Sequence, residues 1–262
     1  MHKSKTIFIG ARKGGVGKTM TTASLGIGLA SKGQKTLIID TDSQHSLTVS
    51  MGIKDADKLQ VTLASVMMNI INEREFEPTD GIIHHSEGVD LLPANGSLAG
   101  IELALAPLIG RETILRQYIE MVKPLYDFIL IDTAPTLDLL TVNALAAADS
   151  VIIPVVPKYL DALGLELLLK SIAQIRRQIN PKLAIDGILL TMVDTRTNLT
   201  REVTALIESA YGNQIKIFGE HIPRSTRAAE TSGHGVSIFQ HDPYGKVAAA
   251  YAALTGEVLN CG

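Results

Sequence analysis

The stretch ARKGGVGKTMTT (residues 11–22) decides the fold: it sets three glycines in four positions between Lys13 and Lys18. KTIFIG (5–10), a short run of β-forming apolar residues, precedes it. KTMTTASLGIGLASKG (18–33) follows directly, with a spacing that predicts a helix closed by Gly33. A glycine loop between a buried strand and a helix N-terminus is suited to cradling phosphate. The backbone N–H groups of Gly14, Gly15, Val16 and Gly17 turn inward around phosphate oxygens, and glycine tolerates the backbone angles this needs at least cost. The helix N-terminus adds partial positive charge. In this reading Lys18 reaches the β and γ phosphates of a nucleotide and the Thr19 hydroxyl ligates Mg²⁺. The loop departs from G-x-x-x-x-G-K-[ST] at its first position, where Arg12 stands, and it carries an additional lysine, Lys13.

Outward from this loop, short apolar runs alternate with longer helical patterns. TLIID (36–40), VDLLPA (89–94), DFILID (127–132), SVIIPVV (150–156) and DGILLTMV (186–193) are almost continuously apolar. That suits strands covered on both faces. LDLLTVNALAAA (137–148) and DALGLELLLKSIAQIRRQI (161–179) have the helical period. The alternation predicts an α/β fold: a doubly wound, mostly parallel sheet with helices on both faces. No Pro-, Gly- or Ser-rich linker interrupts residues 1–262, which read as a single domain. Residues 52–86 fit neither period and read as an insertion or a mobile segment.

Composition narrows the function. With 262 residues, 46% of them hydrophobic, the chain is long enough to bury a substantial core. The only cysteine, Cys261, excludes a disulfide framework or a cysteine metal cluster. No run reaches the roughly 18 apolar residues of a membrane span, and the apolar stretch near the N-terminus is too short for a signal sequence. A reducing, cytoplasmic setting is expected. The net charge of −3 means that any DNA contact comes from a local patch. His84 and His85 have no plausible third metal ligand and read as an exposed loop.

Three acids sit where a triphosphate site needs them. Asp40 and Asp42 follow one strand and Asp132 ends another, in the manner of a Walker B acid. Ligands of parallel α/β sheets bind at the strands' carboxyl ends, so the three can converge on the glycine loop. Any one such Asp is as readily a helix cap or turn residue. It is their conjunction with the loop that points to an ATPase needing metal ligands and a positioned water.

KGGVGKT, IDTDSQ and LIDTAPTLDLLTVNAL together resemble the ParA/Soj family of partition ATPases, in the deviant Walker A group that also includes MinD. The likeness continues through VIIPVVPKYLDALGLELLL, GILLTMVDTRTNLT, HIPRSTRAAETSGHG and DPYGKVAAAYAALTGEVL, and so covers nearly the whole chain. The resemblance implies an ATP- and Mg²⁺-dependent homodimer in which Lys13 reaches the partner's nucleotide. It implies that Lys18 and Thr19 bind phosphate and Mg²⁺, that Asp132 supports the metal through water, that Asp42 positions the attacking water and that Asp40 supports the same site. Pro223 and Ser225 lie at the family's adenine-side positions, with Met192 a weaker candidate. Met20 replaces a common threonine next to the cradle. Ala11-Arg12, Ser43 and Ser225 are further departures from the family pattern, and they bear on hydrolysis rate and base selectivity.

The same resemblance implies slow hydrolysis stimulated by a ParB-like partner, non-specific DNA binding, a nucleoid-associated location and a role in chromosome or plasmid partitioning. Arg196, Arg201, Arg224 and Arg227 are the candidate DNA contacts; each is equally readable as a solvated residue. Competing readings are a nucleotide switch that positions a protein cargo, a membrane-linked MinD-like role and a deviant Walker A amidoligase. The C-terminal VAAAYAALTGEVLNCG lacks the cations of a basic amphipathic membrane helix. The sequence starts directly at its first strand, so operator-specific repression is not expected.

Overall fold

The computed structural model describes residues 4–260; Cys261 lies outside them. The first half of the chain forms β1 (Lys5–Ile9), α1 (Lys18–Ser31), β2 (Thr36–Asp40), α2 (Ser46–Ser50), α3 (Leu63–Ile71), β3 (Ile83–His84), β4 (Asp90–Leu92), α4 (Leu98–Leu105), α5 (Ile114–Val122) and β5 (Phe128–Asp132). The second half adds α6 (Leu139–Ala147), β6 (Ser150–Val155), α7 (Tyr159–Gln178), β7 (Ala184–Leu190), α8 (Asn198–Tyr211), α9 (Thr226–His234), α10 (Ile238–His241) and α11 (Lys246–Leu259). Among the described residues the strands form one seven-stranded sheet in the order β3-β4-β2-β5-β1-β6-β7. Neighbours are parallel except at the β3 edge, which runs antiparallel to β4.

The continuous apolar strands are explained by the two faces they serve. Leu37, Ile39, Ile129, Ile131 and Ile153 point into one buried layer, packed beneath α3 to α7. The alternate residues Ile7, Ile9, Ile38, Leu130 and Ile152 point into a second layer, covered mainly by α1 and α11. Helix α1 lies close on the sheet because it carries glycine at the contact: a Cβ on Gly26 would stand 2.6 Å from Ile38 Cγ2. Buried Tyr251 ties α11 to α1, its hydroxyl 3.1 Å from Thr21 Oγ1.

Residues 52–86 depart from the expectation of an insertion or mobile segment. They contain α3, whose Leu63, Val66 and Met67 are fully buried in the first layer, and Tyr118 on α5 donates to the Pro78 carbonyl at 3.1 Å. The helix is opened by a capping box of Thr62 and Ser65. Serine in place of the usual Glu or Gln hides that signal from a reading of the sequence. Helix α11 buries Val247, Tyr251, Leu254 and Val258, so its apolar face is spent on the core. No helix among the described residues is long and apolar enough to cross a membrane.

The strand order reverses at β1. The chain steps to β2 on one side and later to β6 and β7 on the other, and the crevice at such a switch point is where open α/β sheets bind ligands. The glycine loop leaves β1 there.

Candidate nucleotide-binding site

Gly15 and Gly17 adopt left-handed φ values of 73° and 88°. Side-chain-bearing residues rarely hold such angles, and these turn the loop's N–H groups toward a common centre. Gly17 is also the N-cap of α1. Across the crevice Thr191, just beyond β7, donates its hydroxyl to the Val16 carbonyl at 2.7 Å and pins the loop. Lys18, the first residue of α1, is only 7% exposed. Burial lowers its pKa, opposed by the charges of Asp132 and Asp42. It is a cation in the field of two acids, with little water around it.

Asp132 also meets Asp40, because β2 and β5 are neighbours in register with Asp40 paired against Asp132. Both are buried. Thr19 Oγ1 donates to Asp132 Oδ2 at 2.8 Å, and Thr22 Oγ1 to Asp132 Oδ1 at 3.2 Å. Burial first and the neighbouring Asp40 second push Asp132 up to about 7. Asp40 is raised to about 6, chiefly by burial. Its Oδ2 accepts from the Thr48 amide and hydroxyl, both at 2.8 Å, and its Oδ1 from the Asp42 amide at 3.1 Å. Asp40 therefore braces the 41–48 loop, with both oxygens engaged by the protein. Asp42 lies on that loop, half-buried, and its Oδ1 accepts from the Gln44 amide at 2.9 Å.

A cavity of about 610 Å³ runs from the glycine loop past Lys18 and Thr19 to Met192, Pro223 and Ser225. That lies within the range of cofactor pockets. Its far wall is two stapled segments: the Val193 amide donates to Ile222 O at 3.0 Å and the Arg224 amide to Val193 O at 3.2 Å. Met192 sits at φ 51° and is 40% exposed. Ser225 Oγ accepts from the Ala228 amide and caps α9. Met20, also in the lining, takes a contact of 3.6 Å on its sulfur from the Thr231 hydroxyl and packs α1 against α9. The donor set suits a magnesium nucleotide. Inward amides and a buried lysine match phosphate oxygens, and a hydroxyl beside an acidic pair that ionises reluctantly without a cation matches a hard divalent ion.

Lys13 points elsewhere. Its ammonium is ion-paired with Asp161 in the first turn of α7, and Arg12 beside it is exposed. Of the four candidate DNA contacts, Arg196, Arg224 and Arg227 line one shallow depression of about 550 Å³ with Ser225 and Thr226. Arg201 stands apart on α8, bonded to Asn198 Oδ1 at 2.8 Å. Arg196 forks onto both oxygens of Asp194 at 2.8 Å, and those hydrogen bonds hold Asp194 down at about 2. Arg227 pairs with Asp242 at 2.7 Å. His84 lies on the β3 edge, exposed and bonded to Asp90 Oδ1 at 2.7 Å. No group of three or more potential metal-ligating His, Cys, Asp or Glu side chains occurs among the described residues.

Three residues of the site escaped the reading of the sequence: Thr22, Thr48 and Thr191. Thr22 had a findable signal, since it follows Lys18 by one helical turn on the same face. The other two are brought in by the tertiary fold, as is Asp161, which pairs with Lys13 outside the nucleotide cavity.

Fold and site define a P-loop NTPase whose glycine loop carries a second lysine. The sequence profile of a family described as an AAA domain matches residues 4–185. The sporulation initiation inhibitor protein Soj of Bacillus subtilis is 38% identical, over 97% of this chain and 98% of that one. The chromosome-partitioning ATPase Soj of Thermus thermophilus is 37% identical, over 98% and 96%. Among solved structures, a cobyrinic acid a,c-diamide synthase from Mycobacterium smegmatis, with bound ADP and magnesium, superposes with a TM-score of 0.84 at 32% identity, covering 98% of this chain and 94% of that one. The chain belongs to the ParA/Soj family of partition ATPases.

Proposed function

We propose that this chain is a single-domain, Mg-ATP-dependent dimerising ATPase that binds DNA without sequence preference and serves chromosome or plasmid partitioning with a ParB-like partner. The observation that carries the nucleotide part is the convergence of left-handed Gly15 and Gly17, buried Lys18, and the Thr19–Asp132 hydrogen bond on one end of the cavity. The partition role is supported by kinship with the Soj proteins.

In this reading the amides of residues 14–18 and the Lys18 ammonium hold the phosphate chain. Thr19 and Asp132 would hold the metal, while Asp40 fixes the loop that carries Asp42. Asp42, whose charge acts on Lys18, orients the attacking water. Bound Mg-ATP would supply the phosphoryl group, and its Mg²⁺ the positive charge that would favour ionisation of the acidic pair. Met192, Pro223 and Ser225 frame the base. Lys13 acts on the partner's nucleotide, which makes dimerisation depend on ATP. The arginine depression then meets DNA phosphates at double density in the dimer. Hydrolysis is slow until a partner protein stimulates it, and the protein acts on the nucleoid in the cytoplasm.

A second reading, an ATP-dependent amidoligase, is supported by the 32% identity to the cobyrinic acid a,c-diamide synthase. One experiment separates the two: ATP turnover measured with duplex DNA plus a ParB-like protein, and again with a small carboxylic acid plus an ammonia donor. Stimulation by DNA and partner supports the partition reading. Stimulation by the acid alone overturns it.

A further inference from the structure

The glycine loop's second lysine is occupied within its own chain. Lys13 Nζ contacts Asp161 Oδ1. The Asp161 side chain is 3% exposed and the Lys13 side chain 42%. Among the described residues, Asp161 Oδ1 is buried with no hydrogen-bond donor besides that ammonium. A buried carboxylate costs far more unpaired than an exposed ammonium does, so the pair is held from the acid's side. Asp161 is itself fixed: it lies in the first turn of α7, where the helix N-terminus favours negative charge, and its amide donates to the Lys158 carbonyl at 3.0 Å. Around the pair, Ala11, Val16, Pro154, Leu165 and Leu168 close an almost solid pocket of about 10 Å³.

We infer that Asp161 is a positioning residue for Lys13: it latches the lysine in cis and competes with the partner's nucleotide for it. This rests on the proposal that Lys13 acts across a dimer interface. The ammonium cannot serve both anions, because a lysine reaching a neighbouring subunit has left the buried carboxylate behind. Each subunit therefore gives up one ion pair when the dimer forms. The nucleotide's phosphates must offset that loss, so the latch sets a threshold below which the protein stays monomeric. It also keeps Lys13 out of the chain's own cradle, leaving Lys18 as the cation there.

The test uses the full chain and Asp161→Asn, which removes the charge at nearly constant volume. Lys13 is half-exposed in the pair, so water solvates it once freed and the fold is retained; thermal melts check this. The first readout needs no dimer. Acetic anhydride labelling of the nucleotide-free protein, quantified at Lys13 by mass spectrometry, is expected to rise about 3- to 10-fold in Asp161→Asn, the span of a partly buried ion pair. The second readout is the dimer Kd by sedimentation with a non-hydrolysable ATP analogue, expected to tighten by a similar factor of about 3 to 10. Binding of a fluorescent ATP analogue to the monomer is expected to stay unchanged. In a Lys13→Ala background, Asp161→Asn is expected to give no tightening. Unchanged Lys13 labelling overturns the latch. Increased labelling with an unchanged or weaker dimer overturns the competition. Failure of the wild-type protein to dimerise with the analogue overturns the interface role of Lys13 and the competition with it, while the labelling still reports on the ion pair.

Discussion

The cradle at the end of β1 and the arginine depression beside α9 are two cation-bearing regions built in opposite ways. The cradle is buried and over-determined. Glycines fix the loop angles, Thr191 pins the loop, and Asp132 is tied to α1 by two hydroxyls. The depression is open, and two of its three cations are already spent on Asp194 and Asp242. A buried polar site tolerates no unmatched group and so leaves a dense trace in the sequence. An exposed charged surface is solvated in any state, and its worth depends on which neighbours compete for each charge.

The largest expected effect lies in the cradle. Lys18→Ala removes the buried cation among the phosphate-facing amides and is expected to weaken ATP binding on the order of 100-fold or more, read by equilibrium binding of a fluorescent ATP analogue. Near-normal affinity would mean that the buried lysine is structural. Next comes Asp42→Ala, which leaves cradle and metal site intact: binding is expected to persist while turnover drops roughly 100-fold, measured by phosphate release. Loss of binding instead would move Asp42 into the framework alongside Asp40.

An intermediate effect concerns pH. Asp40 and Asp132 bind protons more tightly folded than unfolded, since burial raises them to about 6 and about 7. Ionising them costs stability, which is lost as pH rises through 6 to 7 and regained as pH falls toward the ordinary carboxylate value near 4. The nucleotide-free protein is expected to melt higher at pH 5.5 than at pH 8. Asp40→Asn should flatten that difference, on a scale of about 2–4 °C per kcal/mol. An unchanged profile in the variant would show that Asp40 does not titrate between those two pH values.

The smallest effects belong to the depression, where the comparison is sharpest. Arg224 makes no ion pair within contact distance among the described residues and acts on Asp194 only from further off, whereas Arg196 and Arg227 would each have to surrender a carboxylate before meeting a phosphate. Arg224→Ala is therefore expected to cost more DNA affinity than Arg196→Ala or Arg227→Ala. It should also flatten the log–log salt dependence by about 0.9 for each phosphate left without its cation, titrated by fluorescence anisotropy. Equal effects from all three would mean that the ion pairs dissolve on binding.

This contrast also explains how much was legible in the sequence. The strands from 36–40 to 186–193 and the helix of residues 18–31 lie close to their expected bounds, because continuous apolar runs and glycine punctuation are local signals. Asp40 and Asp132 were found because strand ends are readable, and their adjacency then follows from sheet order. The α3 segment was missed because a serine stands in its capping box. Asp161, Asp194 and Asp242 carried no signal as partners of Lys13, Arg196 and Arg227. Asp161 and Asp242 meet theirs only through the tertiary fold, and Asp194, two residues from Arg196, meets it through a loop conformation that spacing does not specify.

The most direct measurement is the mass of the protein in solution by sedimentation velocity, with no nucleotide, with ADP and with a non-hydrolysable ATP analogue, each with magnesium. A nucleotide-switched ATPase whose second lysine acts across subunits is expected to be monomeric in the first two states and dimeric in the third, with Lys13→Ala monomeric in all three while still binding the analogue. A wild-type mass that ignores the nucleotide, or a Lys13→Ala protein that dimerises normally with the analogue, would contradict it.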